Sequence, residues 1–175
     1  LQTESPWSRG IETELRRTLY QWKHMPVDMV VLPTIQISKV IRNTGFGIQI
    51  VEERAITDPQ NDIVGHMYID QLKTEDDLQK IRTPELELDA PATAEVEETA
   101  HDIFDGLLQV QMQGMLPMAN IWDIIAQWKG AQNILWDLVD RPEFMHRIMG
   151  RLTDAFLAML DQLEEKGLLG YAQST

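Results

Sequence analysis

The sequence predicts an α/β protein: a partial (β/α)8 TIM-barrel segment carrying a β-hairpin excursion. Three observations predict it. Two runs of strand character, PVDMVVLPTIQI and LLQVQMQG, are separated and followed by helical runs, an order that favours parallel pairing. The second run alternates amides with hydrophobes, so one of its faces is polar and the other apolar. Only two core strands are visible in 175 residues, whereas a complete barrel takes roughly 250 residues. The expected organisation is a single domain over 1–175, a fragment of a longer barrel.

The elements follow in order. Residues 8–24 form a helix, because Ile11, Leu15, Leu19 and Trp22 recur at spacings of four and three, and Pro26 stops it. A buried strand is expected over about 28–37, with Pro33 as a break near its C-terminal end. GFGIQIVEE and IVGHMYID both alternate around the turn residues DPQND, which gives a hairpin at about 46–54 and 63–70. TEDDLQKI (74–81) is a short helix with Thr74 and Asp77 as its capping box. TPELELDAPAT reads as a proline-bearing linker. An acidic helix follows at 92–107, with Val96, Ala100, Ile103 and Phe104 inward and EVEETAHD as its solvated face. After the second strand comes a helix at 117–130, its stripe being Ile121, Ile124, Ile125 and Trp128, with Gly130 as C-cap. AQNILWDLVDR is another short helix. The longest starts at Pro142 and Glu143, holds its period through Phe144, Ile148, Leu152, Phe156, Met159 and Leu163, and ends at Gly167.

Charge and composition narrow the function. Fifteen basic residues against 28 acidic ones leave a net charge of −13, a surface that repels nucleic acid and anionic membrane. The absence of cysteine removes disulfides, thiolate nucleophiles and Cys-ligated zinc, and suits a cytoplasmic protein. No apolar run approaches the roughly 20 residues of a membrane span. The chain opens on LQTESPWSRG, polar and without an initiating Met, which suits a processed protein or a piece of a longer one.

The candidate ligand pocket comes from the alternation. Val110 and Met112 suit a helix-covered side, which sends Gln109, Gln111 and Gln113 to the barrel interior. Thr34 and Gln36 alternate with Ile35 and Ile37 in the same way. Burying an unpartnered amide costs roughly 1–3 kcal/mol, so these groups need partners, water or a ligand. Trp122, on the helix after the second strand, is placed to stack on a flat ligand. The pocket candidates are therefore Thr34, Gln36, Gln111, Gln113 and Trp122, with no catalytic residue assigned. Met112, Met115 and Met118 are read as soft core filling near the strand end. His24 falls at a helix end, His66 on the hairpin, and His101 and His146 on helices as surface positions; none is paired with another His or a carboxylate at an i, i+4 ligand spacing, so no metal site is expected. GFG at 45–47 lacks the strand-then-helix setting of a phosphate loop.

Several stretches resemble one family. DLVDRPEFMHRIMGRLTDAFLAMLDQLEEKGLL is similar to the helix that follows a D-x-P-E start in the uroporphyrinogen decarboxylase superfamily. HMYIDQLKTEDDLQKIRTPE resembles that family's segment before a proline, and QVQMQGMLPMANIW its Gly-terminated strand leading into a helix. The resemblance covers about 11–170 and implies the N-terminal to middle part of a (β/α)8 barrel about twice this length. It implies a small-molecule substrate, a porphyrinogen or a methylated compound. The activity would be a cofactor-free carbon–carbon lyase (decarboxylase) in porphyrin biosynthesis. The alternative is a corrinoid-dependent methyltransferase, with zinc and a corrinoid held by the full-length protein and no cofactor in this segment. The sequence departs from the decarboxylase pattern at two places: Thr34 stands where the family carries a key Asp, and Trp122 near where it carries a Tyr. Neither replacement keeps the chemistry, since Thr holds no negative charge near neutral pH and Trp has only an N–H donor. The family's arginine-rich N-terminal loop and late histidine, and the methyltransferases' His and Cys zinc ligands, have no counterpart here. A third reading is a non-catalytic fragment that folds by self-association, as a homodimer or against the missing part of a barrel, because a partial barrel leaves an unpaired strand edge.

Overall fold

The computed structural model describes residues 2–25, 27–55 and 65–171. It is a mixed α/β chain, and no closed barrel forms among the described residues. Helix α1 spans Pro6–His24, capped by the Ser5 side chain accepting from the Ser8 N–H. Strand β1 is Thr34–Ser38 and strand β6 is Gln109–Gln113. Between them lie β2 (Ile41–Asn43), β3 (Glu52–Ala55), β4 (Gly65–Tyr68), a 3-10 helix (Glu75–Lys80), β5 (Leu86–Leu88) and α2 (Ala90–Phe104). Helices α3 (Ile121–Lys129), α4 (Ala131–Asp140) and α5 (Pro142–Glu165) follow β6.

The expected parallel pairing is present. β1 and β6 run side by side in one sense, Thr34 opposite Gln109, Gln36 opposite Gln111 and Ser38 opposite Gln113. Ile35 and Ile37 are buried with Ala100 and Phe104 of α2, and Trp7, Ile11, Val110 and Met112 pack against them. One face of the pair therefore belongs to the helices, as the alternation requires. The polar residues Thr34, Gln36, Gln111 and Gln113 take the other face; Gln36 and Gln111 are exposed there and Thr34 and Gln113 half-buried, so the amides expected in a barrel interior lie on an open face, where water can satisfy them. A second parallel contact continues past β6: Met115 N–H donates to Leu168 O at 2.8 Å and Gly170 N–H to Met115 O at 2.8 Å. Gly114 permits that approach, because a Cβ there would lie 2.2 Å from Leu168 O.

The rest of the core gathers on α5. Phe144, Ile148 and Leu152 pack with Ile125 and Trp128 of α3, Ile134 of α4, and Leu78 of the 3-10 helix. Its C-terminal half, Phe156, Met159 and Leu163, buries Leu86 of β5 and Leu168. Gly167, at φ +62°, ends the helix and turns the chain back toward β6.

Several boundaries differ from those the sequence suggests. The strand expected from 28 begins only at Thr34, and Pro33 precedes it rather than closing it. Pro33 lacks a donor but offers its carbonyl to Gln109 N–H at 2.8 Å, so it suits the first rung of the ladder. Upstream, Val30, Val31 and Leu32 are exposed. The stripe of α1 is covered only at its start: Leu15, Leu19 and Trp22 are exposed, as is Ile103 of α2. The hairpin survives as the short antiparallel pair β3–β4, with Glu52 opposite Tyr68. The stretch 46–51 is not strand. The proposed linker contains β5, which pairs antiparallel with β2 through Ile41 and Leu88. The helix expected at 74–81 is 3-10 in form, and residues 117–120 precede α3 rather than belonging to it. Met118 is exposed and does not fill the core. Pro26 and the DPQND turn lie outside the described residues. No helix among the described residues is long and apolar enough to cross a membrane.

Candidate functional site

Parallel pairing sends the C-terminal ends of β1 and β6 to one rim, the place where open and closed α/β sheets alike present their ligands. Ser38 and Gln113 end their strands opposite each other. Lys39 N–H donates to Gln113 O at 2.8 Å, tying the two strand ends. The Gln113 side chain donates through Nε2 to Tyr171 O at 2.6 Å. A hollow of about 320 Å³ opens here, lined by Ser38, Lys39, Gln113, Gly114 and Met115. A second of about 430 Å³ lies against α1 and takes in Gln36, Ser38, Lys39, Trp7 and Ile11.

The sequence candidates divide between these places. Gln36 and Gln113 line one rim hollow each. Thr34 and Gln111 sit further back on the same polar face, and both have interaction partners. Trp122 lines neither hollow. It is exposed at the first turn of α3, in a separate concavity of about 340 Å³ with Asn120, Asp123 and Met149. The geometry adds two residues that pattern reading passed over, Ser38 and Lys39, which line both rim hollows. The signal for them was available in the register: once β1 is extended by one residue past Ile37, Ser38 joins the polar face and Lys39 is the first residue beyond the strand.

A second polar cluster lies inside the helical layer. Lys129 is fully buried at the end of α3. Its Nζ donates to Leu72 O at 2.7 Å and contacts Asp70 Oδ2 at 3.1 Å and Asp137 Oδ2 at 2.8 Å. Arg141 grips Asp137 with two bonds and reaches Lys73 O at 2.8 Å. Burial by itself would push the Asp137 carboxyl up, but the hydrogen bonds from Lys129 and Arg141 outweigh it and hold the group below the usual carboxylate range. Every polar end of Lys129 is engaged within the protein, so the cluster is a clamp between the 70–73 segment and α3–α4.

Two histidines are paired rather than alone. His66 Nδ1 lies 2.9 Å from Glu52 on the β3–β4 pair. His101 Nδ1 lies 2.8 Å from Asp105, four residues on, which corrects the expectation that no histidine meets a carboxylate at that spacing. The hydrogen bond that the His101 ring donates to the Asp105 carboxylate favours the charged imidazolium and raises the His101 pKa above its ordinary 6.5. Among the described residues no three His, Asp or Glu side chains converge as a metal site. Comparison with protein-family models, with curated proteins and with solved structures found no match for this chain.

Proposed function

We propose that the chain forms one wall of a uroporphyrinogen-decarboxylase-like (β/α)8 barrel of the cytoplasm, and that the rim at the ends of β1 and β6 binds a small-molecule substrate. The observation that carries the reading is the division of the parallel pair: helices cover the apolar face, while Thr34, Gln36, Gln111 and Gln113 share the other. An open sheet with helices on both faces would make both apolar. A barrel wall has one helix-covered side and one interior side, whose positions near the C-terminal rim line the ligand site. The parallel contact of Met115 with Leu169 extends the wall by the start of a third strand.

At this rim the chain's groups bind rather than react. Amides, the Ser38 hydroxyl and the Lys39 ammonium can orient a carboxylate-bearing substrate, but no carboxylate stands on the polar face of β1 or β6. Decarboxylation would therefore draw its charged group from another part of the barrel. The donor set does not fit zinc: there is no cysteine, and no three-ligand group exists among the described residues. The methyltransferase alternative thus needs its zinc and corrinoid held elsewhere in the protein.

The test is an assay of the intact gene product with uroporphyrinogen under anaerobic conditions, and separately with methyl donors plus cobalamin. Turnover of the porphyrinogen supports the leading reading, and turnover of the methyl donor replaces it with the alternative. Turnover of neither removes both. A third reading, self-association, draws on the edge of β1 opposite β6, which has no strand partner among the described residues, and on the exposed Leu19, Trp22, Val27 and Val30 beside it in sequence. Light scattering of the 175-residue chain decides it: a dimer favours pairing of two copies, and a monomer excludes it.

A further inference from the structure

We propose that the hollow between residues 79–83 and α5 binds a small oxyanion, a phosphate or carboxylate group, through Arg82 and Arg151. The sequence holds nine arginines. Seven of them, Arg9, Arg16, Arg17, Arg42, Arg54, Arg141 and Arg147, each hold a carboxylate or a backbone carbonyl. Arg82 and Arg151 alone have no side-chain hydrogen bond or ion pair among the described residues, although acidic groups outnumber basic ones by 28 to 15. Both line the same concavity, of about 520 Å³, with Gln79, Thr83 and Asp154 around it and buried Ile81 and Ala155 at its floor.

The fold fixes the backbone from which each guanidinium emerges. Arg82 N–H donates to Phe46 O at 3.0 Å, and the Arg82 stem lies against Gly47, where a Cβ would come within 3.2 Å of its Cγ. Arg151 sits on α5 next to Leu152, which is fully buried. Two planar guanidinium forks on fixed backbones suit the planar or tetrahedral oxygens of a carboxylate or phosphate. Gln79 and Thr83 add neutral donors. Asp154 faces the same hollow without pairing with either arginine, so it opposes an anion and limits the affinity. This site shares no lining residue with the rim hollows or with the Lys129 clamp.

Isothermal titration of the 175-residue chain with inorganic phosphate and with citrate, at low ionic strength, tests the site. Binding in the millimolar range is expected, weakened about fivefold by Arg82→Gln or Arg151→Gln, the change that loss of one exposed charge pair gives. Asp154→Asn should tighten binding by about twofold or more. Tighter binding of phosphate names a phosphorylated ligand, and tighter binding of citrate names a carboxylate. All three positions are exposed, so the variants should melt with the parent chain, which circular dichroism checks. The proposal is overturned if neither anion binds at about 10 mM, or if both arginine variants bind as the parent does.

Discussion

Replacing Lys129 with methionine keeps most of the side chain's volume and removes its charge. What remains defines the cost. Asp137 retains two bonds from Arg141, at 2.9 and 2.7 Å. Asp70 retains the Leu72 N–H at 2.8 Å but loses its counter-charge, and Leu72 O loses a donor at 2.7 Å. Breaking a buried pair by removing one partner costs about 3–5 kcal/mol. Because Arg141 stays and the Asp70 side chain is 13% exposed, the expected loss sits at the lower end, about 3 kcal/mol. In a urea titration followed by circular dichroism this lowers the midpoint by about 1 M, for a slope near the upper end of the usual range. Adding Asp70→Asn to Lys129→Met removes the stranded charge and should restore about 1 kcal/mol or more. A midpoint within about 0.2 M of the parent's would refute the clamp. A double variant no more stable than the single one would instead assign the loss to packing around Phe144, whose ring centroid lies 5.5 Å from Nζ.

Three other expectations follow from named contacts. The His101 ring should titrate above its ordinary value, and lower in Asp105→Asn than in the parent; its contribution to stability is complete below the unfolded value and disappears as pH rises through the folded one, which NMR of the ring protons reads. Glu12 should titrate at about 2, held down first by the Thr3 N–H and also by Arg16, so the anchoring of residues 2–3 on α1 is complete above the ordinary 4.5 and is lost as pH falls toward 2, visible in the Thr3 amide signal. Gly114→Ala should displace residues 168–170 from β6, since the new Cβ meets Leu168 O at 2.2 Å; faster amide exchange at Met115 and Gly170 reports it, and unchanged exchange at both would contradict the parallel contact of Met115 with Leu169.

The sequence carried the parts of the fold that repeat with a period. The α5 stripe from Phe144 to Leu163 is buried along its length, and the Gln/Val/Gln/Met alternation put Val110 and Met112 on the helix-covered face of β6, where they lie. Parts without a period were not legible. β2 and β5 have three residues each and pair across more than forty positions of chain, so neither offers enough alternation to read. The Val30–Val31 run has the composition of a strand, but β propensity measures fit to a half-buried pleat. Here it finds no neighbouring strand, and the residues stay exposed. The candidate site was half legible for the same reason. Gln36 and Gln113 were found by alternation, whereas Ser38 and Lys39 needed the register. Trp122 was drawn in by its nearness in sequence to the strand end. The irregular residues 114–120 instead carry it to its own hollow beside Met149.

The rim's position is a consequence of packing on the far side of the sheet. Ile37, 2% exposed, and Ala100, fully buried, press β1 onto α2, and Phe104 does the same beneath Val110 and Met112. The main chain then passes the placement on: Lys39 N–H to Gln113 O across β1–β6, and Met115 N–H to Leu168 O toward the next contact. Each of these bonds lies within two residues of Ser38 or Gln113. A larger side chain at the fully buried Ala100 should push α2 and β1 apart, and any shift of β1 moves Ser38 and Lys39 relative to Gln113. The helix layer and the polar rim are thus mechanically coupled through the strands. A substitution that never touches a ligand should change the rim's affinity for one, while Trp122, outside that chain of contacts, should not.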